Sequence, residues 1–258
     1  MFCEENSEIN TDSLWLINER DKSGKHSNFY HGNFVPQIPN QLIRRYTKEN
    51  DVVLDLFMGS GTTLFECETL NRKFIGFDIN PEIINYVEQK MGNSDKSRFE
   101  INNCDVSNEN LFNNAMQKSL LELKTEKAQL IIAHPPYMDI VKFTDKREDL
   151  SQITDLKTFV MRFVDILRNA LPYLEDKKYF CVVIGDVYKN SEIIPVAFYL
   201  LDAIKRKFNV KLKGIVVKNI EGNRGKLGVN SIWKHRALKS DYFIFKHEYI
   251  LIFKKEGW

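Results

Sequence analysis

The stretch Asp51–Thr63, DVVLDLFMGSGTT, constrains the fold of this chain more than any other. Val52, Val53 and Leu54 form a short apolar run ending on Asp55, the pattern of a buried strand. Phe57, Gly59, Ser60 and Gly61 then make a glycine-punctuated turn. Thr62 and Thr63 open a helix expected to run to about Leu70. Strand, tight turn and helix N-terminus together form the corner at which an open α/β sheet binds phosphates or nucleosides. Ligands sit beyond the carboxyl ends of parallel strands, and glycine lets the backbone come close to them. A Walker-type phosphate loop needs a lysine before the Ser/Thr, and none is present. A dinucleotide fingerprint needs a third glycine where Leu64 stands. An ordinary glycine-rich turn is the bland alternative.

The rest of the chain alternates strands and helices. Residues 1–32 are polar and irregular apart from the apolar island Leu14–Ile17, and read as an arm lying on the domain formed by residues 33–258. Pro36 and Pro39 argue against a helix up to that point, so one is expected from Pro39 or Asn40 through Leu42, Ile43 and Tyr46. Strands are expected at Lys73–Asp78, Arg98–Ile101, Ala128–Ala133, Tyr179–Ile184, Val210–Val217 and Tyr249–Lys254, the last two pairing antiparallel. Helices are expected from Pro81, over about Asn108–Lys124 and Thr154–Leu174, and over Ile194–Phe208. This order argues a doubly wound, mostly parallel α/β sheet with an antiparallel last strand. Asp78, ending the second strand, can accept both hydroxyls of a ribose.

A second chemical signature follows the strand Ala128–Ala133: His134-Pro135-Pro136-Tyr137 resembles the active-site tetrapeptide of DNA amino-methyltransferases, a polar residue followed by Pro-Pro and an aromatic, and the resemblance implies a definite chemistry. An exocyclic amino nitrogen of a base is a poor nucleophile because its lone pair is delocalised into the ring. Two acceptors, a side chain and a neighbouring carbonyl, hold both N–H groups and steer the lone pair out of conjugation. The two prolines make the turn rigid, and the aromatic ring stacks on a base swung out of the duplex.

The glycine corner DLFMGSGTT ahead of HPPY resembles the motif pair of S-adenosylmethionine-dependent DNA amino-methyltransferases acting on adenine N6 or cytosine N4. The resemblance covers about Phe34 to Gly185 plus the closing strands. It implies a seven-stranded, Rossmann-like methyltransferase sheet. It also implies an S-adenosylmethionine site at Asp55, Phe57, Gly59, Gly61, Thr62, Thr63, Asp78 and Asp105, with Asp55 near the methionine amino group and Asp105 on the adenine amino group. A surface aspartate in a turn is the alternative for Asp105. Phe34 and Pro36 belong to a segment resembling the family's closure over the methionine end, or else to a plain packing helix. His134 departs from the pattern, which has Asp, Asn or Ser at that place. A neutral imidazole still accepts one hydrogen bond, so activity is expected to fall as pH drops through its pKa, about 6.5 when unperturbed.

The formal charge of +2 is too mild to prove a nucleic-acid partner, so local charge must decide. Lys218–Lys239 carries six basic residues against Glu221, with three glycines and Trp233. It is the candidate target-recognition insertion (218–239), or else a solvated basic loop. Arg224, Lys226, Trp233, Lys234 and Arg236 are its expected DNA contacts, helped by Lys142, Lys146 and Arg147 after the tetrapeptide. Four scattered cysteines without a CxxC pair argue against zinc and for reduced thiols. No signal peptide or membrane-length apolar run is visible, so a cytoplasmic protein is expected. The function expected is site-specific methylation of a flipped base in double-stranded DNA, adenine N6 slightly favoured, in a restriction-modification setting with a cognate endonuclease as possible partner. Alternatives are an RNA methyltransferase of the tRNA guanine-N2 type and a catalytically silent nucleic-acid-binding subunit.

Overall fold

Period-two alternation sorts the strand side chains onto two faces. Val53, Phe74, Leu130, Ile132, Val183 and Ile250 enter one core layer, while Leu54, Ile75, Ile131, Phe180, Val182 and Leu251 enter the other. The computed structural model describes residues 8–27, 32–220, 235, 237–239, 241 and 243–257. Its strands are β1 (Leu14–Trp15), β2 (Val52–Asp55), β3 (Lys73–Asp78), β4 (Phe99–Asn103), β5 (Ala128–Ala133), β6 (Leu174–Ile184), β7 (Val187–Lys189), β8 (Glu192–Ile194), β9 (Val210–Asn219) and β10 (His247–Lys255). Its helices are α1 (Gln37–Tyr46), α2 (Thr62–Thr69), α3 (Pro81–Lys90), α4 (Glu109–Glu122), α5 (Leu156–Ala170) and α6 (Val196–Lys207).

The main sheet runs β1-β9-β10-β6-β5-β2-β3-β4. Strands β2 to β6 pair in parallel, and β10 pairs antiparallel with both β6 and β9. Helices α1, α2 and α3 cover one face through Ile38, Leu42, Leu64, Phe65 and Val87. Helices α4, α5 and α6 cover the other through Phe112, Met116, Phe159, Phe163 and Leu200. This is the Rossmann-like, doubly wound class, with one strand more than seven because Leu14 and Trp15 add a parallel edge to β9.

Several local boundaries differ from the sequence expectation. Helix α1 begins at Gln37, so Pro39 lies in its first turn. The first N–H groups of a helix have no intrahelical acceptor, so proline costs little there. Helix α5 stops at Ala170, because Pro172 turns the chain into a short 3-10 segment, and β6 starts at Leu174. Between β6 and α6 the chain makes a hairpin, β7 with β8, turning through Asn190 and Ser191 at φ 54° and 62°. Paired positive φ values match the twist of a two-residue hairpin turn. Helix α6 therefore starts after Pro195.

The described part of the arm is tied down along its length. The Trp15 ring is buried and Ile17 N–H donates to Asn219 Oδ1 at 2.7 Å. Arg20 donates to the carbonyl of Phe34 at 3.0 Å, and His26 lies 2.6 Å from Glu66 of α2.

Candidate active site

The chain winds from β2 through β3 and β4 in one direction, then returns to lay β5 and β6 on the other side of β2. Such a reversal opens a crevice beyond the carboxyl ends of the two strands concerned. Here those ends carry the glycine corner after β2 and the tetrapeptide after β5. Leu56 N–H donates to Ile132 O at 3.2 Å, stitching the two together.

The corner is braced by its acids. Asp55 is fully buried; its Oδ1 accepts Phe57 N–H at 3.0 Å and its Oδ2 accepts the Thr63 hydroxyl at 2.5 Å. Burial pushes its carboxyl up to about 6 against those two hydrogen bonds. Asp78 accepts Gly59 N–H at 2.9 Å and Asn80 N–H at 2.8 Å. Its pKa also lies near 6, raised by burial. Gly59 and Gly61 adopt φ 52° and 85°, the left-handed region that glycine tolerates. A Cβ on Gly61 would lie 3.1 Å from both Phe65 and Val87. This glycine is therefore demanded by its backbone angle and by packing between α2 and α3. Thr62 and Thr63 are buried, and Phe57 packs against the α5 core with its ring 6.3 Å from Phe163. Asp105 follows β4, where its Oδ1 accepts the N–H and hydroxyl of Ser107.

At the second half of the crevice, Phe34 meets the His134 ring edge-on at 4.8 Å, and Pro36 is buried at the start of α1. Tyr137 packs so close to Gly185 that a Cβ there would stand 2.7 Å from its ring. His134 Nε2 is 3.2 Å from Tyr137 Oη, and that hydroxyl donates to Glu248 Oε2 at 2.7 Å. Glu248 is paired in turn with Lys218, whose Nζ lies 3.2 Å from Oε1. Burial lowers the His134 pKa to about 4, opposed by the charge of Glu248 and aided by that of Lys218. The acid limb expected near 6.5 is therefore corrected: the imidazole is neutral throughout the ordinary pH range. Burial and the Glu248 charge hold the Tyr137 phenol protonated. Met138, directly after the tetrapeptide, takes φ 52° with its side chain wholly buried. Left-handed geometry costs an L-residue about 1–2 kcal/mol, and the core that grips the side chain offsets it.

The sequence reading missed Glu248, Lys218 and Gly185. The available signal was a lone acid heading the apolar run Tyr249–Phe253; the register that sets Lys218 opposite it is seen only in the folded sheet. Lys218 belongs to the basic stretch read as phosphate-contacting, but it is buried in the sheet and paired. The connecting segment starts beyond Asn219, and its roots are fixed at the crevice end of the sheet by Ile220 N–H donating to Lys246 O at 2.8 Å. Arg224, Lys226, Trp233, Lys234 and Arg236 lie outside the described residues. Lys142, Lys146 and Arg147 are exposed, and Lys146 Nζ donates to Ile79 O at 2.6 Å, leaning over the end of β3. Among the described residues no group of His, Cys, Asp and Glu has the arrangement of a metal site, and no helix is long and apolar enough to cross a membrane.

Comparison with known proteins decides the family. A family model for a methyltransferase domain matches residues 47–223, more than half of the chain. The chain belongs to that family. A second model, described as DNA methylase, matches residues 4–89 of this methyltransferase. The chain is 38% identical over 69 residues to the type II methyltransferase M.MjaII of Methanocaldococcus jannaschii, covering 26% of this chain and 13% of that one. It is 46% identical over 63 residues to the type II methyltransferase M.HindIII of Haemophilus influenzae, covering 24% and 18%. The chain thus spans less than a fifth of either relative. In three dimensions it resembles TrmN from Thermus thermophilus, with TM-score 0.55 and 16% identity over 87% of this chain and 50% of that one, a likeness of fold.

The methyl donor of such a domain is S-adenosylmethionine, and the corner fits it. The fit lies in the donor set: Asp78, at the crevice end of β3, accepts two backbone N–H bonds among the described residues, beside a turn in which Gly59 and Gly61 take positive φ.

Proposed function

We propose that this methyltransferase modifies an exocyclic amino nitrogen of a base flipped out of double-stranded DNA, adenine N6 in first place or cytosine N4. The observation that carries this reading is the position of His134-Pro135-Pro136-Tyr137 at the end of β5, across the reversal from the glycine corner, with an imidazole kept neutral by burial. S-adenosylmethionine, when bound, supplies an electrophilic methyl group.

The chain's own residues do the rest. Asp78 takes the ribose hydroxyls, and the backbone at Gly59 and Gly61 makes room for the methionine portion, closed by Phe34 and Pro36. Asp55 and Thr63 hold the turn, and Asp105 faces the adenine. His134 accepts one amino N–H of the target and the Pro135 carbonyl accepts the other, so the nitrogen lone pair is freed for attack. Tyr137 offers its ring face to the flipped base. The segment between β9 and β10, rooted at the crevice end, carries Arg224, Lys226, Trp233, Lys234 and Arg236 to the duplex, joined by Lys142, Lys146 and Arg147. The small segments shared with type II methyltransferases support a restriction-modification role alongside a cognate endonuclease.

The test is methyl transfer from labelled S-adenosylmethionine to DNA and to RNA, with His134→Ala as control. Label in DNA that disappears in the variant supports the reading. Label in RNA alone, or undiminished label with His134→Ala, overturns it.

A further inference from the structure

If His134 is to accept a hydrogen bond from the target amino group, its acceptor nitrogen must be defined, because a neutral imidazole has two tautomers. The structure contains a device that selects one. Tyr137 has a single hydroxyl proton and donates it to Glu248 Oε2 at 2.7 Å. The phenol oxygen is then only an acceptor towards His134 Nε2, 3.2 Å away, so Nε2 carries the ring hydrogen. The reverse order would set the phenol oxygen against a carboxylate with no proton between them, leaving two buried acceptors in contact.

Glu248 is held in place by its partner across the sheet. Lys218 Nζ lies 3.2 Å from Oε1, and the two side chains are only 6% and 9% exposed. They face each other directly across the β9–β10 ladder, so the backbone register fixes the pair. Phe34, packed edge-on against the imidazole at 4.8 Å, restrains the ring from the other side. His134 Nδ1 makes no hydrogen bond to any described residue.

We infer that Glu248, backed by Lys218 and acting through the Tyr137 hydroxyl, fixes the Nε2–H tautomer of His134 and so presents Nδ1 as the acceptor for the amino group of the target base. Glu248 and Lys218 are positioning residues. The inference rests on the role given to His134 above, and it gives the tyrosine hydroxyl a task separate from stacking. It also explains how an imidazole fills a place for which an amide or carboxylate is the usual choice: an oxygen acceptor needs no tautomer control, whereas a histidine does.

The experiment uses the full chain with histidine labelled in both ring nitrogens with 15N. His134 is assigned by difference from His134→Asn, and nitrogen chemical shifts at neutral pH report which ring nitrogen holds the proton. Nε2 is expected to be protonated and Nδ1 bare in the parent. Tyr137→Phe keeps the ring and leaves the Lys218–Glu248 pair intact, so it is expected to fold normally. In it, and in Glu248→Gln, the population should move towards Nδ1–H. In both variants kcat should fall at least tenfold while S-adenosylmethionine affinity stays within twofold of the parent. A parent with the proton on Nδ1, or Tyr137→Phe with the parental tautomer, overturns the inference. The resonance measurement needs no nucleic acid, so it decides the tautomer independently. Absence of methyl transfer by the parent to any DNA would strike the proposed function alone.

Discussion

Gly59 donates its backbone N–H to the Asp78 carboxylate at 2.9 Å, so the tip of the glycine turn and the acid closing the next strand are one unit. The same carboxylate caps the following turn by accepting Asn80 N–H at 2.8 Å. A residue proposed to hold a ribose therefore also shapes the glycine turn, and its protonation state bears on both tasks.

That coupling gives a pH prediction. Burial raises the Asp78 pKa from 3.8 to about 6. S-adenosylmethionine affinity, measured by calorimetry between pH 8 and 5, should weaken as pH falls through about 6. Asp78→Asn should bind weakly at every pH, losing about 1.5–3 kcal/mol, the worth of hydrogen bonds to a charged group. The sign for stability is the reverse. Between about 6 and 3.8 the folded chain holds a proton that the unfolded chain has released, so this group's contribution to stability grows as pH falls across that window. A parent affinity flat to pH 5 would remove Asp78 from the ribose.

Gly185 sits under Tyr137, where a Cβ would stand 2.7 Å from the ring. The ring has little freedom to yield, because its hydroxyl is held by Glu248. Gly185→Ala should displace the stacking face and cost on the order of 100-fold in kcat, the penalty of misplacing a reacting group by about 1 Å. Cofactor affinity should stay at the parental value, and paired turnover and calorimetry measurements check both halves.

Lys218 tests the buried pair. Lys218→Met leaves Glu248 charged, buried and without its cation, and should destabilise the fold by about 3–5 kcal/mol. Urea denaturation reads this as a lower midpoint with an unchanged slope. A midpoint equal to the parent's would show that the pair contributes nothing.

The contrast between these residues and the glycine corner shows what a sequence exposes. The corner is contiguous, and its turn residues answer to local backbone demands, so strand, turn and helix could all be placed. The central strands were legible because burial on both faces makes them continuous apolar runs. Gly61 was read as room for a ligand; the fold also requires it for φ 85° and for its close approach to Phe65 and Val87, which no local pattern reveals. Pro39 looked like a helix boundary because proline's cost depends on its place within the first turn. The line from His134 to Lys218 draws on the end of β5, the end of β9 and the start of β10, and only the sheet order brings those together. Lys218 looked like one more cation of a basic stretch until its register with Glu248 was known.

Electrostatic docking has its own test. Replacing Arg224, Lys226 and Arg236 together with uncharged residues should weaken duplex binding and reduce the salt slope by about 0.9 for each phosphate no longer neutralised. S-adenosylmethionine affinity should not change. Equal slopes for parent and triple variant, from affinities across a salt series, would exclude this segment from the DNA interface.

The most direct test of amino-nitrogen methylation is the chemical identity of the methylated product. The protein is incubated with labelled S-adenosylmethionine and duplex DNA, the DNA is digested to nucleosides, and the labelled nucleoside is identified by mass spectrometry. N6-methyladenine, or N4-methylcytosine, is expected, with the label absent in His134→Ala. Label on a ring carbon, or none in DNA while RNA is labelled, would contradict it.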